Sequence, residues 1–155
     1  PILPVGRDVN YKIPVSALVV VHTPALDVLL IERAKHPGFW QSVTGSTELG
    51  ETIAQTAQRE VLEETGIAAP AQDFIAWNIT NNFRITLTPE RFAPGTRFNE
   101  EHVFSLCVPQ QIPVTLAVEE HLAWRWLPYR EAAAACFSWS NRDAILMLPL
   151  QTGAP

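Results

Sequence analysis

Val15 to His22 reads VSALVVVH, an unbroken apolar run rich in β-branched residues, the pattern of a strand buried on both faces. Pro24-Ala25-Leu26-Asp27 follows as a turn, and Val28 to Glu32 (VLLIE) is a second apolar strand. Residues 15–32 are therefore expected to form a hairpin. A loop with Pro37 and Gly38 leads into Phe39-Trp40-Gln41-Ser42-Val43. Then the period changes. From Thr52 to Thr65, Ile53, Ala57, Val61 and Leu62 fall near one face of a helix, and Gly66 stands where a left-handed cap would end it. Phe74–Thr80, Val103–Val108 and Leu122–Leu127 read as further strands, the last alternating like a half-buried one. Residues 86–99 contain Pro89, Pro94 and Gly95 and are expected to be irregular, a length of loop that is usually functional or mobile. A helical region runs from Glu131 to about Leu148, interrupted near Ser138–Asn141, and residues 1–10 form a loose lead-in. Strands mixed with two helices predict an α/β fold in which helices cover both faces of a mixed sheet. The 155 residues suit a single domain spanning 1–155.

Composition narrows the function classes. Hydrophobic residues make up 47% and charged residues 17%, a globular balance. The net charge of −5 argues against duplex nucleic acid or anionic membrane as a partner, because phosphate attraction needs basic surface. It leaves open a small phosphorylated substrate held by a few local cations. Ala17 to Val21 is the longest apolar stretch and is too short to span a bilayer. No basic region followed by an apolar run marks a leader, so a cytoplasmic location is expected. Cys107 and Cys136 form no CxxC pair and are expected to be buried free thiols. Oligomeric state is not legible.

The chemistry concentrates in residues 45–67, GSTELGETIAQTAQREVLEETGI. Glu60, Glu63 and Glu64 crowd the last turns of one helix at i,i+3 and i,i+4 spacing, where like charges repel. The helix dipole also disfavours anions at that end. A compensating cation is the natural explanation, and clustered carboxylates suit a hard one such as Mg²⁺, with Mn²⁺ as an alternative. An acidic face that is merely solvated is the competing reading of a glutamate pair alone.

The spacing resembles the Nudix box: Gly, five residues, Glu, seven residues, Arg-Glu-aliphatic-any-Glu-Glu, any, Gly, aliphatic. Here these are Gly45, Glu51, Arg59, Glu60, Val61, Glu63, Glu64, Gly66 and Ile67, with no departure. Seven fixed types at about 6% each coincide with a probability on the order of 10⁻⁹ per start position. The resemblance implies a Nudix α/β/α sandwich that holds divalent metal against a diphosphate. It assigns Glu60 and Glu64 as metal ligands and Glu63 as an assisting carboxylate. It pairs Arg59 with Glu51 as the brace of the loop and leaves room at Gly45 for a close approach.

Outside the box, Tyr11-Lys12, Pro14-Val15-Ser16, Phe39 to Ser46, Arg91 to Gly95, Glu120-His121-Leu122-Ala123 and Ser138 to Arg142 resemble the bacterial dihydroneopterin triphosphate diphosphatase branch of that family. That branch releases pyrophosphate and leaves the pterin monophosphate, in folate biosynthesis. By this resemblance Glu120 completes the metal site or serves as base; a surface carboxylate beside Glu119 is the competing reading. Arg33 and Arg91 are candidates to hold phosphate, with ordinary surface arginines as the alternative. Trp40 and Phe39 could stack on a flat base or pack in the core. Trp139 and Asn141 could line the pocket or cap a helix. Trp77, Trp124 and Trp126 read as core or strand packing. The four histidines show no metal-ligand spacing and read as structural or exposed. Two rival functions stand beside the pterin triphosphate reading. One is hydrolysis of nucleoside triphosphates, oxidised ones included. The other is a Nudix fold that binds without catalysis.

Overall fold

β1 (Val15–His22) is the spine of a seven-stranded mixed sheet. The computed structural model describes residues 10–153, so the expected lead-in lies mostly outside the described residues. β1 and β2 (Asp27–Arg33) meet antiparallel at His22 and Val28 and then part. The expected hairpin is therefore open. β4 (Val43–Ser46) pairs with β1 from Ser16 to Val19, while β7 (His121–Pro128) runs antiparallel along β2. β3 (Trp40–Gln41) lies on the other side of β2, against Ile31 and Glu32. On its remaining edge β1 is parallel to β6 (Phe98–Cys107), which pairs antiparallel with β5 (Phe74–Arg84). Both of these strands reach further than their apolar runs suggest. Asn81, Asn82, Asn99 and Glu101 are polar, yet cross-strand pairing carries them into the sheet.

The helices cover both faces. α1 (Ile53–Thr65) packs Ala57 and Val61 against Ala17, Val19, Val21 and Val43. Thr52 caps its start: its hydroxyl accepts from Gln55 N, and the Gln55 side chain accepts from Thr52 N. Gly66, at φ +76°, closes its end with an N–H donated to Leu62 O. The opposite face buries Leu18, Val20, Leu30 and Val103 under α2 (Tyr129–Ala135), α3 (Trp139–Leu146) and α4 (Leu148–Thr152). The expected helical region with its one interruption is thus three helices, with a second break at Met147. Ser138 caps α3 through Asn141 N, which restarts the helix after the break.

One smaller expectation is corrected: Cys107 is exposed, since it lies at the end of β6, and Cys136 is half-buried, although both thiols are free. Trp124 belongs to β7 and is 38% exposed, and His121 is buried. Among the described residues no helix is long and apolar enough to cross a membrane.

Candidate active site

The loop between β4 and α1 folds back against the helix, and Arg59, at the helix middle, is what holds it. Its Nε donates to Glu51 Oε2 at 2.6 Å and its Nη2 to Glu51 Oε1 at 3.0 Å, a bidentate fork. Nη2 also reaches Ser46 O at 3.0 Å, while Nη1 donates to Glu60 Oε1 at 2.8 Å and to Glu63 Oε2 at 3.2 Å. The guanidinium holds the Glu51 carboxyl down at about 2, and Glu51 in turn raises the Arg59 pKa. The loop end is tied further by Thr56, whose hydroxyl donates to Glu51 Oε1 at 2.7 Å.

Glu60 and Glu64 are different. Glu64 is 4% exposed, and its Oε2 has no partner among the described residues. Burial pushes its carboxyl well up, and the nearby Glu60 and Glu120 push it further. Burial also lifts Glu60 to about 7 against the pull of Arg59. Glu120 arrives from the turn before β7. The ligand atoms of Glu64, Glu120 and His121 all lie within 4.8 Å of one another. His121 Nδ1 is likewise buried and unpartnered, and burial holds its ring down at about 4, with Arg33 acting in the same direction. The register of β2 with β7 shifts at a bulge between Glu32 and Arg33, which brings Arg33 opposite His121. Gly45 leaves the opening on the other side. A Cβ there would overlap the Glu60 carboxyl, so the backbone can pass only without a side chain.

Two cations border the acidic set, and a third, Arg91, lies beside one of them. Arg33 lies close enough to Glu64 to feel its charge. The Lys12 ammonium, held low mainly by burial, senses Arg91, Arg33, Glu60 and Glu120 together. The Lys12 N–H donates to Arg91 O at 2.8 Å, which ties the 89–95 segment to the entry of β1. Reading the sequence passed over Lys12 and His121 as site residues. Their only signal was adjacency, Lys12 to the β1 run and His121 to Glu120.

The aromatic and amide candidates sit elsewhere. Trp40 packs on the α3 side of the core with the Arg125 guanidinium 4.1 Å from its ring centre, so one of its faces is taken. Phe39 stacks on Phe137 at 4.8 Å. Asn141 is 3% exposed: its Oδ1 accepts from Ser42 N at 2.9 Å and its Nδ2 donates to Ser138 Oγ at 2.7 Å. It braces the β3–β4 junction against α3, which leaves little of its amide for a ligand. Trp139 is 46% exposed. A depression of about 850 Å³ on the outer side of α1, lined by Leu49, Gln55, Gln58 and Leu62, contains none of Glu60, Glu64 or Glu120.

Residues 12–148 match the NUDIX domain family. The chain belongs to the Nudix family. This Nudix protein is 44% identical over 143 residues to dihydroneopterin triphosphate diphosphatase of Escherichia coli K12, covering 90% of this chain and 94% of the relative. Against the Haemophilus influenzae protein of the same name the identity is 33% over 141 residues, covering 88% and 87%. The solved E. coli dihydroneopterin triphosphate pyrophosphohydrolase superposes with a TM-score of 0.84 at 43% identity, over 91% of this chain and 98% of that one. The Nudix mixed sheet with helices on both faces is therefore common to both.

Proposed function

We propose that this Nudix pyrophosphohydrolase, acting as one domain with its box at 45–67, cleaves dihydroneopterin triphosphate to the monophosphate and pyrophosphate with the help of Mg²⁺. The carrying observation is the convergence of Glu60, Glu64 and Glu120, two of them with carboxyls raised by burial, beside Lys12 and Arg33. The similarity to the E. coli diphosphatase over nine-tenths of the chain selects the substrate.

The donor set fits a divalent cation. A buried carboxylate oxygen with no partner, crowded by two other carboxylates, is a costly arrangement unless positive charge joins it. Glu60, Glu64 and Glu120 would hold the ion, and His121 offers a further ligand atom in the same cluster. When bound, such an ion offsets charge on the diphosphate and makes water more acidic.

The chain's own residues do the rest. Arg59 and Glu51 keep the loop in place, so that Glu60 faces the site with one oxygen held. Arg33, Lys12 and Arg91 gather the anionic oxygens of the triphosphate, where in-line scission depends on positioning and charge. Glu120 is exposed while Glu64 is buried, so entering water meets the Glu120 carboxylate first. Initial rates on dihydroneopterin triphosphate and on the four dNTPs, with products identified, test the reading. A pterin monophosphate and pyrophosphate released together is the expected result. Faster turnover of a dNTP, or stepwise release of inorganic phosphate, would count against it.

A further inference from the structure

Among the described residues Glu101 is a second buried carboxylate with one oxygen left unpaired, and nothing in the phosphate site uses it. It is 3% exposed, and its Oε1 has no hydrogen-bond partner among the described residues. It sits in a polar row across the sheet. Glu101 on β6 registers with Asn81 on β5 and Ser16 on β1, and Ser16 registers with Ser46 on β4. Register partners point to the same face. That face is the one under α3, because Val103 and Leu18, two residues further along, belong to the apolar cluster with Ala144 and Ile145. Ser140, in the first turn of α3, lies over it. Burial lifts the Glu101 carboxyl to about 7, against hydrogen bonds from the Ser140 and Asn81 side chains, which leave Oε1 free. Among the described residues no lysine, arginine or histidine offsets the charge. Leaving a carboxylate so placed disfavours the fold, and buried acceptors without partners in native proteins take up a water or a ligand.

The position suits a ligand's base. Two strand spacings, roughly 10 Å, separate Glu101 from Ser46 across the sheet. Ser46 adjoins Gly45, and its carbonyl accepts from Arg59. Phosphates at the carboxylate cluster and a base under α3 can thus belong to one molecule. Trp139, the exposed first residue of α3, is the aromatic surface beside this row.

We propose that Glu101 reads the substrate's base: its two carboxylate oxygens accept the adjacent N–H and NH₂ donors of a 2-amino-4-oxopyrimidine edge, with Asn81 and Ser140 flanking. Pterin and guanine share that edge. A carboxylate is acceptor-only and matches a donor–donor edge; adenine offers an acceptor beside a donor and is mismatched. The substrate named here rests on the reading under Proposed function, but the edge chemistry does not, since dGTP carries the same donors.

The test compares kcat/KM on dihydroneopterin triphosphate, dGTP, dITP and dATP for wild type and Glu101→Gln. The glutamine is isosteric and presents one acceptor and one donor. The ratio of dGTP to dATP should fall about 10- to 100-fold, the worth of a bidentate pair, and the pterin substrate should fall with dGTP. In wild type, dITP, which lacks the amino donor, should run about tenfold below dGTP. An unchanged ratio in a variant with native melting behaviour would overturn the proposal. Equal wild-type rates on dGTP and dITP would overturn it without any variant. If wild type ignores the pterin substrate while Glu101→Gln still collapses the dGTP preference, the substrate assignment fails and Glu101 stands. If wild type favours the pterin and the variant keeps the full wild-type margin of pterin and dGTP over dATP, the reverse holds.

Discussion

Gly45 and Glu60 abut so closely that a Cβ on Gly45 would overlap the Glu60 carboxyl. The glycine is a requirement of contact, not of backbone angle. Gly45→Ala should displace Glu60 or the β4–α1 loop, and displacement of this order costs on the order of 100-fold in kcat. Stability should drop by about 1–3 kcal/mol from the overpacking. A Mg²⁺ titration of activity checks the cause: the variant should need more metal for half-maximal rate.

Glu64→Gln separates metal binding from folding. The buried carboxylate has an oxygen without a partner, and its protonation is favoured by burial. Glutamine removes that charge. Metal-free variant should melt at or above the wild-type temperature, while the rise in Tm that Mg²⁺ gives wild type disappears. Turnover should fall at least 100-fold, and Glu60→Gln should lower it strongly as well. Near-wild-type turnover in either variant would remove that residue from the site.

Arg59→Lys should not rescue Arg59→Ala. The guanidinium serves Glu51, Glu60, Glu63 and the Ser46 carbonyl at once, a geometry that an ammonium cannot reproduce. The group is about one-fifth exposed, so solvent screens part of the effect, and about 1–3 kcal/mol of stability is expected to go in either variant. Urea unfolding of both variants measures it.

Asn141→Ala should act on structure and not on substrate choice. The amide bridges Ser42 N to Ser138 Oγ, and removing it leaves a buried N–H unpaired. About 1–3 kcal/mol of stability should be lost. Activity should decline by the same factor on pterin and dNTP substrates. A selective loss on the pterin would return Asn141 to the base pocket.

Glu101 gives stability a pH dependence of defined sign. Its native carboxyl titrates near 7, above the ordinary 4.5. Below the ordinary value it is protonated in both states. As pH rises from 4.5 to 7 the unfolded chain ionises first, so native stability falls, by about 3 kcal/mol when complete. Glu101→Gln should abolish this share, so the Tm gap between variant and wild type, measured without metal, should widen from pH 4.5 to pH 7.5 in the variant's favour. A gap that does not change with pH would show that the carboxyl titrates as it would in water.

Much of this architecture can be read from residue order alone, and the exceptions have physical reasons. The 3.6 period and Gly66 mark α1 because local hydrogen bonds decide a helix. The β1 run is equally plain, since burial on both faces leaves no polar positions. Which strand pairs with which is another matter: β1 and β2 read as a hairpin because apolar runs carry no record of their partners. Asn81 and Glu101 fall outside the strands read from apolar runs, because polar residues enter a strand only when neighbouring strands demand it. The carboxylates of the box are legible through close spacing. His121 and Lys12 are not, because their neighbours in space are distant in the chain. The direction of the Asn141 amide depends on Ser42, which no local pattern reveals.

The opened hairpin also bears on how the chain reaches this state. β1 finds β6, and β2 finds β7, only after most of the polypeptide exists. Such distant pairings slow folding, because a long loop must close before any contact repays it. During synthesis β1 can pair only with β2 and β4, and β2 only with β1 and β3, until β6 and β7 emerge. Glu64 and Glu120 meet only when β7 docks, so a truncated chain ending before that strand would carry an intact box and no complete site.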